Sequence, residues 1–227
     1  MTGLKLLVLR LHRRQPVVNP LRSHPIMDKR RFLRATLAST ALPGLALAAP
    51  AKGSLDPQPA GPTLLTLSGE VAHPNRGRLD PALDQLLSKH GVRFERAHCF
   101  THADLAALPA VEIRPTLEYD GRPHRLRGPL LSRLLDIAGV NRSAGVTLSL
   151  RALDGYTVEF SVAELQRRAV IIATHIDGAP LPLGGLGPLW AVFDPATQPD
   201  LAARPLAERF AQCPWGLYSV HAGQSTG

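Results

Sequence analysis

The sequence predicts an α+β domain: a mixed β-sheet with helices interspersed among its strands. Three Asp-Gly pairs, Asp120-Gly121, Asp154-Gly155 and Asp177-Gly178, each fall between strand-like runs. Asp-Gly tolerates the positive φ angles of tight hairpins, so these runs pair antiparallel with their chain neighbours. Two capping signatures, Thr101-x-x-Asp104 and Ser161-x-x-Glu164, place helices among those strands out of strict alternation, which argues for an α+β domain with a mixed sheet. A hydrophobic share of 44% over 227 residues is enough for a core.

The elements follow in chain order. Residues 63–71 alternate as a strand ending in a turn. A helix is then signalled by Asp80 at the N-cap, Pro81 at N1, Leu83, Leu86 and Leu87 on one face, and Gly91 as its stop. Residues 92–97 read as a strand, and the Thr101 box opens a short helix through Leu108. Residues 111–119 and 124–127 form the first hairpin. The strongest helix pattern spans 129–138, with Leu130, Leu131, Leu134, Leu135 and Ile137 as its apolar face and Gly139 as its stop. A second hairpin pairs 146–152 with 157–160, and the Ser161 box opens a helix through Arg168. Residues 170–176 run as a strand into the third Asp-Gly turn, and 189–193 and 217–221 complete the strands.

Charge divides the chain. Of 26 Lys and Arg, nine lie in residues 1–51 with a single acid, Asp28; the remaining 176 residues carry 17 of each sign. A neutral body offers no basic face for a phosphate backbone, so nucleic acid is not an expected partner. The basic front has the layout of an export leader: Met27-Asp28-Lys29-Arg30-Arg31 as a charged start, a mildly apolar stretch over 32–49, and small-residue cleavage sites at Ala46-Leu47-Ala48 or Ala49-Pro50-Ala51. Arg34, Thr36, Ser39 and Thr40 make that stretch too polar and short to span a bilayer, so no stable membrane span is expected after processing.

Lys29-Arg30-Arg31-Phe32-Leu33-Arg34 resembles the twin-arginine export pattern with lysine at the first arginine; Sec export is the alternative. Residues 1–26 then precede the signal, either because translation starts at Met27 or as a basic cytoplasmic extension. The expected division is 1–51 as basic extension plus export signal, 52–62 as a flexible Gly/Pro-rich lead-in, and 63–227 as the domain, with a periplasmic address.

Few residues fall into patterns that carry chemistry. No Ser/His/Asp order, HExxH helix or phosphate-cradling glycine loop occurs, and Gly184-Gly185-Leu186-Gly187 precedes a strand, where it serves as a connection. His98-Cys99-x-x-His102, with His90, has the look of a metal cluster, but its spacing straddles a strand end and a helix start, so convergence is not expected. His175 reads as a satisfied core residue. Cys99 and Cys213 are the only thiols; in an oxidising compartment they are a disulfide candidate, the alternative being two separate buried cysteines.

Three blocks, taken together, carry a family resemblance. They are Tyr119-Asp120-Gly121-x-Pro123-His124-x-Leu126-x-Gly128-Pro129-Leu130-Leu131-x-x-Leu134-Leu135-x-x-Ala138-Gly139, then Ile176-Asp177-Gly178-x-Pro180-Leu181-Pro182, then Gly187-Pro188-Leu189-Trp190. In this order they resemble the molybdopterin-binding domain of the sulfite-oxidase-like oxidoreductases, above all short exported bacterial members, over residues 64–220. The resemblance implies a mixed α+β fold and a molybdopterin cofactor whose molybdenum takes one cysteine thiolate from a loop upstream of the first hairpin.

This chain departs from the family at its chemistry. The loop reads Val111-Glu112-Ile113-Arg114-Pro115-Thr116-Leu117, without cysteine, and neither Cys99 nor Cys213 stands at the ligand position. Where the family grips the cofactor phosphate with a His and a Lys-rich segment, this chain has Gly184-Gly185 and Ala211-Gln212-Cys213-Pro214-Trp215. The residues themselves therefore call for no cofactor and no metal. Arg114, Glu118 and Tyr119, in the segment equivalent to the ligand loop, are expected to line any surviving pocket. Trp190 and Trp215 are its expected aromatic walls and Arg209 its anion anchor; surface ion pairs and core packing are the ordinary alternative for all six. The expected function is a scaffold that binds a small molecule or a periplasmic sensor partner. The alternatives are a redox enzyme whose metal site lacks protein sulfur, and a purely structural interaction protein.

Overall fold

The computed structural model describes residues 61–142 and 145–224. The expected leader with its cleavage sites, and all but the last two residues of the expected lead-in, lie outside the described residues. Within them the strands are β1 (Thr63–Gly69), β2 (Ala97–Thr101), β3 (Ala110–Ile113), β4 (Leu126–Pro129), β5 (Val146–Ala152), β6 (Thr157–Ser161), β7 (Ile171–Ala173), β8 (His175–Ile176), β9 (Ala179–Pro180), β10 (Trp190–Val192) and β11 (Leu217–Gln224). The helices are α1 (Gln85–Lys89), α2 (His102–Ala107), α3 (Leu131–Ala138), α4 (Val162–Arg168) and α5 (Pro199–Ala202).

A five-stranded sheet in the order β2-β1-β11-β5-β6 forms the centre. β1 and β11 are parallel while its other pairings are antiparallel, so the sheet is mixed, as the sequence predicts for an α+β domain. Beside it lie a four-stranded sheet, β3-β4-β8-β9, and a β7-β10 pair.

Side-chain alternation assigns the faces of the central sheet. Leu65 and Leu67 on β1, Val220 and Ala222 on β11, Leu148 and Leu150 on β5 and Phe160 on β6 enter the main core, where they meet Leu131, Leu134 and Leu135 of α3 and Leu165 of α4. On the other face Ala97 joins a small second cluster with Leu79, Leu87, Phe94 and Tyr218. Thr66, Ser68 and Ser219 are buried there beneath the connection from β1 to β2, and Ser68 Oγ lies 3.1 Å from His221 Nδ1.

Both capping signatures form. Thr101 Oγ1 accepts the Asp104 N–H while Asp104 accepts from the Thr101 N–H at 2.8 Å. Ser161 Oγ accepts the Glu164 N–H at 3.1 Å. Gly139 ends α3 at φ 69°. Asp177 and Gly178 both have positive φ, 49° and 88°, giving the tight turn between β8 and β9.

Several boundaries differ from expectation for local reasons. Asp80 Oδ1 accepts the N–H groups of Ala82 and Leu83, but the turn it caps becomes helical only at Gln85; of the expected apolar face only Leu87 is buried. Residues 92–96 are not a strand: Val92 N–H returns to the Leu87 carbonyl, Phe94 turns into the second cluster, and the strand begins at Ala97. The strand expected over 111–119 stops at Ile113, before Pro115, whose missing N–H cannot continue a ladder. Pro129 closes β4 rather than opening α3, and Thr174 divides the expected 170–176 strand by donating its N–H to the Arg127 carbonyl.

Candidate functional site

Two of the three Asp-Gly turns converge with the segment before β11 to build a hollow of about 180 Å³. Glu118 and Tyr119 come from the tip of the β3–β4 connection, where the Gly121 N–H returns to the Leu117 carbonyl. Asp154 and Tyr156 come from the β5–β6 turn; Asp154 Oδ1 accepts the Tyr156 N–H at 2.9 Å and so fixes that turn. Residues 207–215 supply the third side, with Phe210 and Cys213 buried at its floor and Trp215 at its rim.

The third side is held firmly. Tyr156 donates its hydroxyl to the Ala211 carbonyl at 2.6 Å, and the Leu153 N–H bonds to the Gly216 carbonyl at 2.9 Å. Trp190 lies beneath, fully buried on β10; its Nε1–H donates to the Cys213 carbonyl at 2.8 Å, and its backbone bridges to Trp215. These bonds fix the backbone around Cys213 and leave the rims aromatic: Tyr119, Tyr156 and Trp215 are 55%, 49% and 40% exposed.

The protonation states follow from burial. Desolvation, with the Glu118 carboxylate beside it, pushes the Tyr119 phenol up to about 12, so it stays neutral. Burial likewise pushes the Cys213 thiol up to about 12, only partly offset by a backbone hydrogen bond from Phe193. A thiol so placed is not poised to form the thiolate that metal ligation or nucleophilic attack requires.

The six expected pocket residues separate. Glu118, Tyr119 and Trp215 line the hollow together. Trp190 is not a wall, because its ring is needed as core beneath the floor. Arg114 is exposed outside the lining, and Arg209 also lies outside it, with its Nε–H given to the Arg204 carbonyl at 2.8 Å. Sequence reasoning missed Asp154, Tyr156 and Phe210. The signal that could have found the first two was an aromatic residue directly after the second Asp-Gly pair, where a core strand would not yet have begun.

The two cysteines are free and buried. Cys99 packs on the second face of the sheet with its Sγ 3.8 Å from Thr66 Oγ1, whereas Cys213 belongs to the main core, so the central sheet stands between them and the disulfide candidate does not form. Among the described residues no group of three or more His, Cys, Asp or Glu could hold a metal ion. His98 Nδ1 is 2.6 Å from the His73 carbonyl and His90 Nδ1 2.7 Å from the Tyr218 hydroxyl, so these rings serve packing. His175, half-buried on β8, has Nδ1 2.8 Å from Thr174 Oγ1, and burial lowers its pKa.

A second concavity, about 440 Å³, opens beside α1 between Leu64, Leu86, Leu153 and Pro188. Leu83 and Leu183 stand at its edge, 82% and 74% exposed, and its one ion pair, Arg76 with Asp84, is self-contained. Among the described residues no helix is long and apolar enough to cross a membrane.

No protein-family model matches the sequence, and no curated protein does. Among solved structures the chain is similar to the sulfane dehydrogenase SoxCD from Paracoccus pantotrophus, at a TM-score of 0.47 and 14% identity, over 72% of this chain. The similarity covers 39% of that protein's chain, well under half its length.

Proposed function

We propose that this chain is an exported binding domain on a sulfite-oxidase-like scaffold, holding a small organic molecule in the hollow between the first two Asp-Gly turns rather than running redox chemistry. One observation carries the reading: Glu118 and Tyr119 converge with Tyr156 and Trp215, both distant from them in sequence, on one concavity whose aromatic residues are open to solvent. Exposed aromatics grouped around a polar group in a concave site are the ordinary composition of a small-molecule site.

The lining does not fit a molybdopterin. That cofactor is anionic at its phosphate and needs cationic partners, yet the hollow presents the carboxylates of Glu118 and Asp154 and no Lys or Arg. Its single thiol, Cys213, is held neutral by burial, and a volume of about 180 Å³ admits a molecule of several heavy atoms, far fewer than a molybdopterin has.

Elemental and pterin analysis tests the reading on full-length protein purified from a host that makes molybdopterin. The expected result is molybdenum far below one atom per chain and no pterin fluorescence after denaturation. Stoichiometric molybdenum would make the redox alternative correct.

A further inference from the structure

The charge and surface of the hollow select among ligands. Tyr119, Tyr156 and Trp215 are the exposed aromatic residues of the lining, with Tyr119 hydrogen-bonded to Glu118 and Trp215, and Glu118 and Asp154 are its only charged groups. The guanidinium of Arg168 lies outside the lining, near enough to influence Cys213; its Nε and Nη2 bond Glu164 at 3.0 Å and Asp200 at 2.9 Å, and its buried Nη1 has no hydrogen-bond partner. Arg209 is turned to a backbone carbonyl. An anion would meet two carboxylates and no free cation in the lining. A cation would meet three aromatic rings and two carboxylates in the same lining, and both attractions strengthen as water is displaced.

Size and hydration narrow the class further. About 180 Å³ admits a molecule of several heavy atoms and excludes a nucleotide or a peptide. An inorganic cation keeps its water in preference to aromatic carbon, whereas an ammonium dressed in methyl groups sheds little hydration and fits ring faces. We infer that the hollow binds a small organic ammonium cation, of the size of choline, between Tyr119, Tyr156 and Trp215 with Glu118 and Asp154 supplying the counter-charge. The inference rests on the ligand-binding reading above and adds the ligand's charge and class.

The two tryptophans give a direct readout, because the chain has only Trp190 and Trp215. In a ¹⁵N–¹H spectrum of the full chain their indole N–H signals are separate probes: Trp215 at the rim, and Trp190 beneath the floor, bonded to the Cys213 carbonyl. Titration with choline is expected to move the Trp215 signal saturably and by more than the Trp190 signal. The uncharged carbon isostere 3,3-dimethylbutan-1-ol is expected to bind about tenfold more weakly, the order of one desolvated cation–π contact.

Glu118→Gln and Asp154→Asn, the latter keeping the oxygen that caps the turn, should each weaken choline by roughly two- to tenfold. Equal binding of choline and its isostere, or unchanged binding in both variants, would overturn the cation assignment. If choline leaves Trp215 unmoved while a screen of neutral and anionic fragments moves it, the cation assignment falls and the ligand-binding reading stands. If nothing moves Trp215, both fall.

Discussion

His124 joins two turns that the chain places far apart. Its Nδ1 lies 2.6 Å from Asp177 Oδ2 and its Nε2 2.9 Å from Asp120 Oδ2, so a doubly protonated ring bonds both Asp-Gly corners at once. The two carboxylates raise its pKa above the ordinary 6.5. Asp177 is lowered in turn, first by the Arg125 N–H and then by His124, and Asp120 is lowered chiefly by His124. The sign follows from linkage. A raised imidazole stabilises the fold at and below its unfolded value and loses that contribution as pH rises through the folded one; the lowered carboxylates lose theirs as pH falls. The clamp is therefore strongest in mildly acidic solution. Thermal melts of wild type and His124→Gln at about pH 5.5 and about pH 8.5, which bracket an ordinary imidazole, should show the wild-type advantage shrinking at the higher pH. An advantage independent of pH would mean that His124 acts by packing alone.

At the scale of elements, close approach of backbones decides what cannot change. The backbone of β7 crosses β4 at Gly128: a methyl group there would fall on the Ile172 carbonyl. On either side of that crossing the Thr174 N–H bonds to the Arg127 carbonyl at 3.0 Å and the Leu131 N–H to the Val170 carbonyl at 2.9 Å. Gly128→Ala must therefore separate the two strands, and a loss of at least about 1–3 kcal/mol is expected from overpacking alone. Chemical denaturation reads it as a lower midpoint; a midpoint within error of wild type would show that the crossing has slack. Gly121→Ala meets no atom at Cβ but sits at φ 69°, so any cost there is backbone strain rather than overlap.

The same contrast explains what was legible in the sequence. Caps and turns are local chemistry, so Thr101, Ser161, Gly139 and the Asp-Gly pairs declare themselves by residue type and spacing. Leu83 follows the helical pattern and yet stays exposed, because what a face packs against is a tertiary fact that periodicity does not contain. The hollow was half legible for that reason. Glu118, Tyr119 and Trp215 stood out from the family resemblance, whereas Asp154 and Tyr156 reach the site only because β5, β6 and the segment before β11 come together.

The central sheet organises the molecule by dividing it into two unequal faces, and the cysteines report on that division. On β2, Phe100 enters the main core while Cys99, one residue earlier, must point to the opposite face, opposite Thr66 on β1. Cys213 sits in the main core under the hollow. A bond between them would have to pass through a hydrogen-bonded sheet, so oxidising conditions do not by themselves join them. Both thiols are nearly inaccessible, at 3% exposure each, and Cys213 is further protected by its raised pKa. Ellman's reagent added to native protein near neutral pH should therefore react slowly with either. The same protein denatured without reductant should release two thiols per chain. Release of fewer than one would mean that the two faces had been joined, and would require a rearrangement of β2 against β1 that the present packing of Leu65, Leu67 and Phe100 opposes.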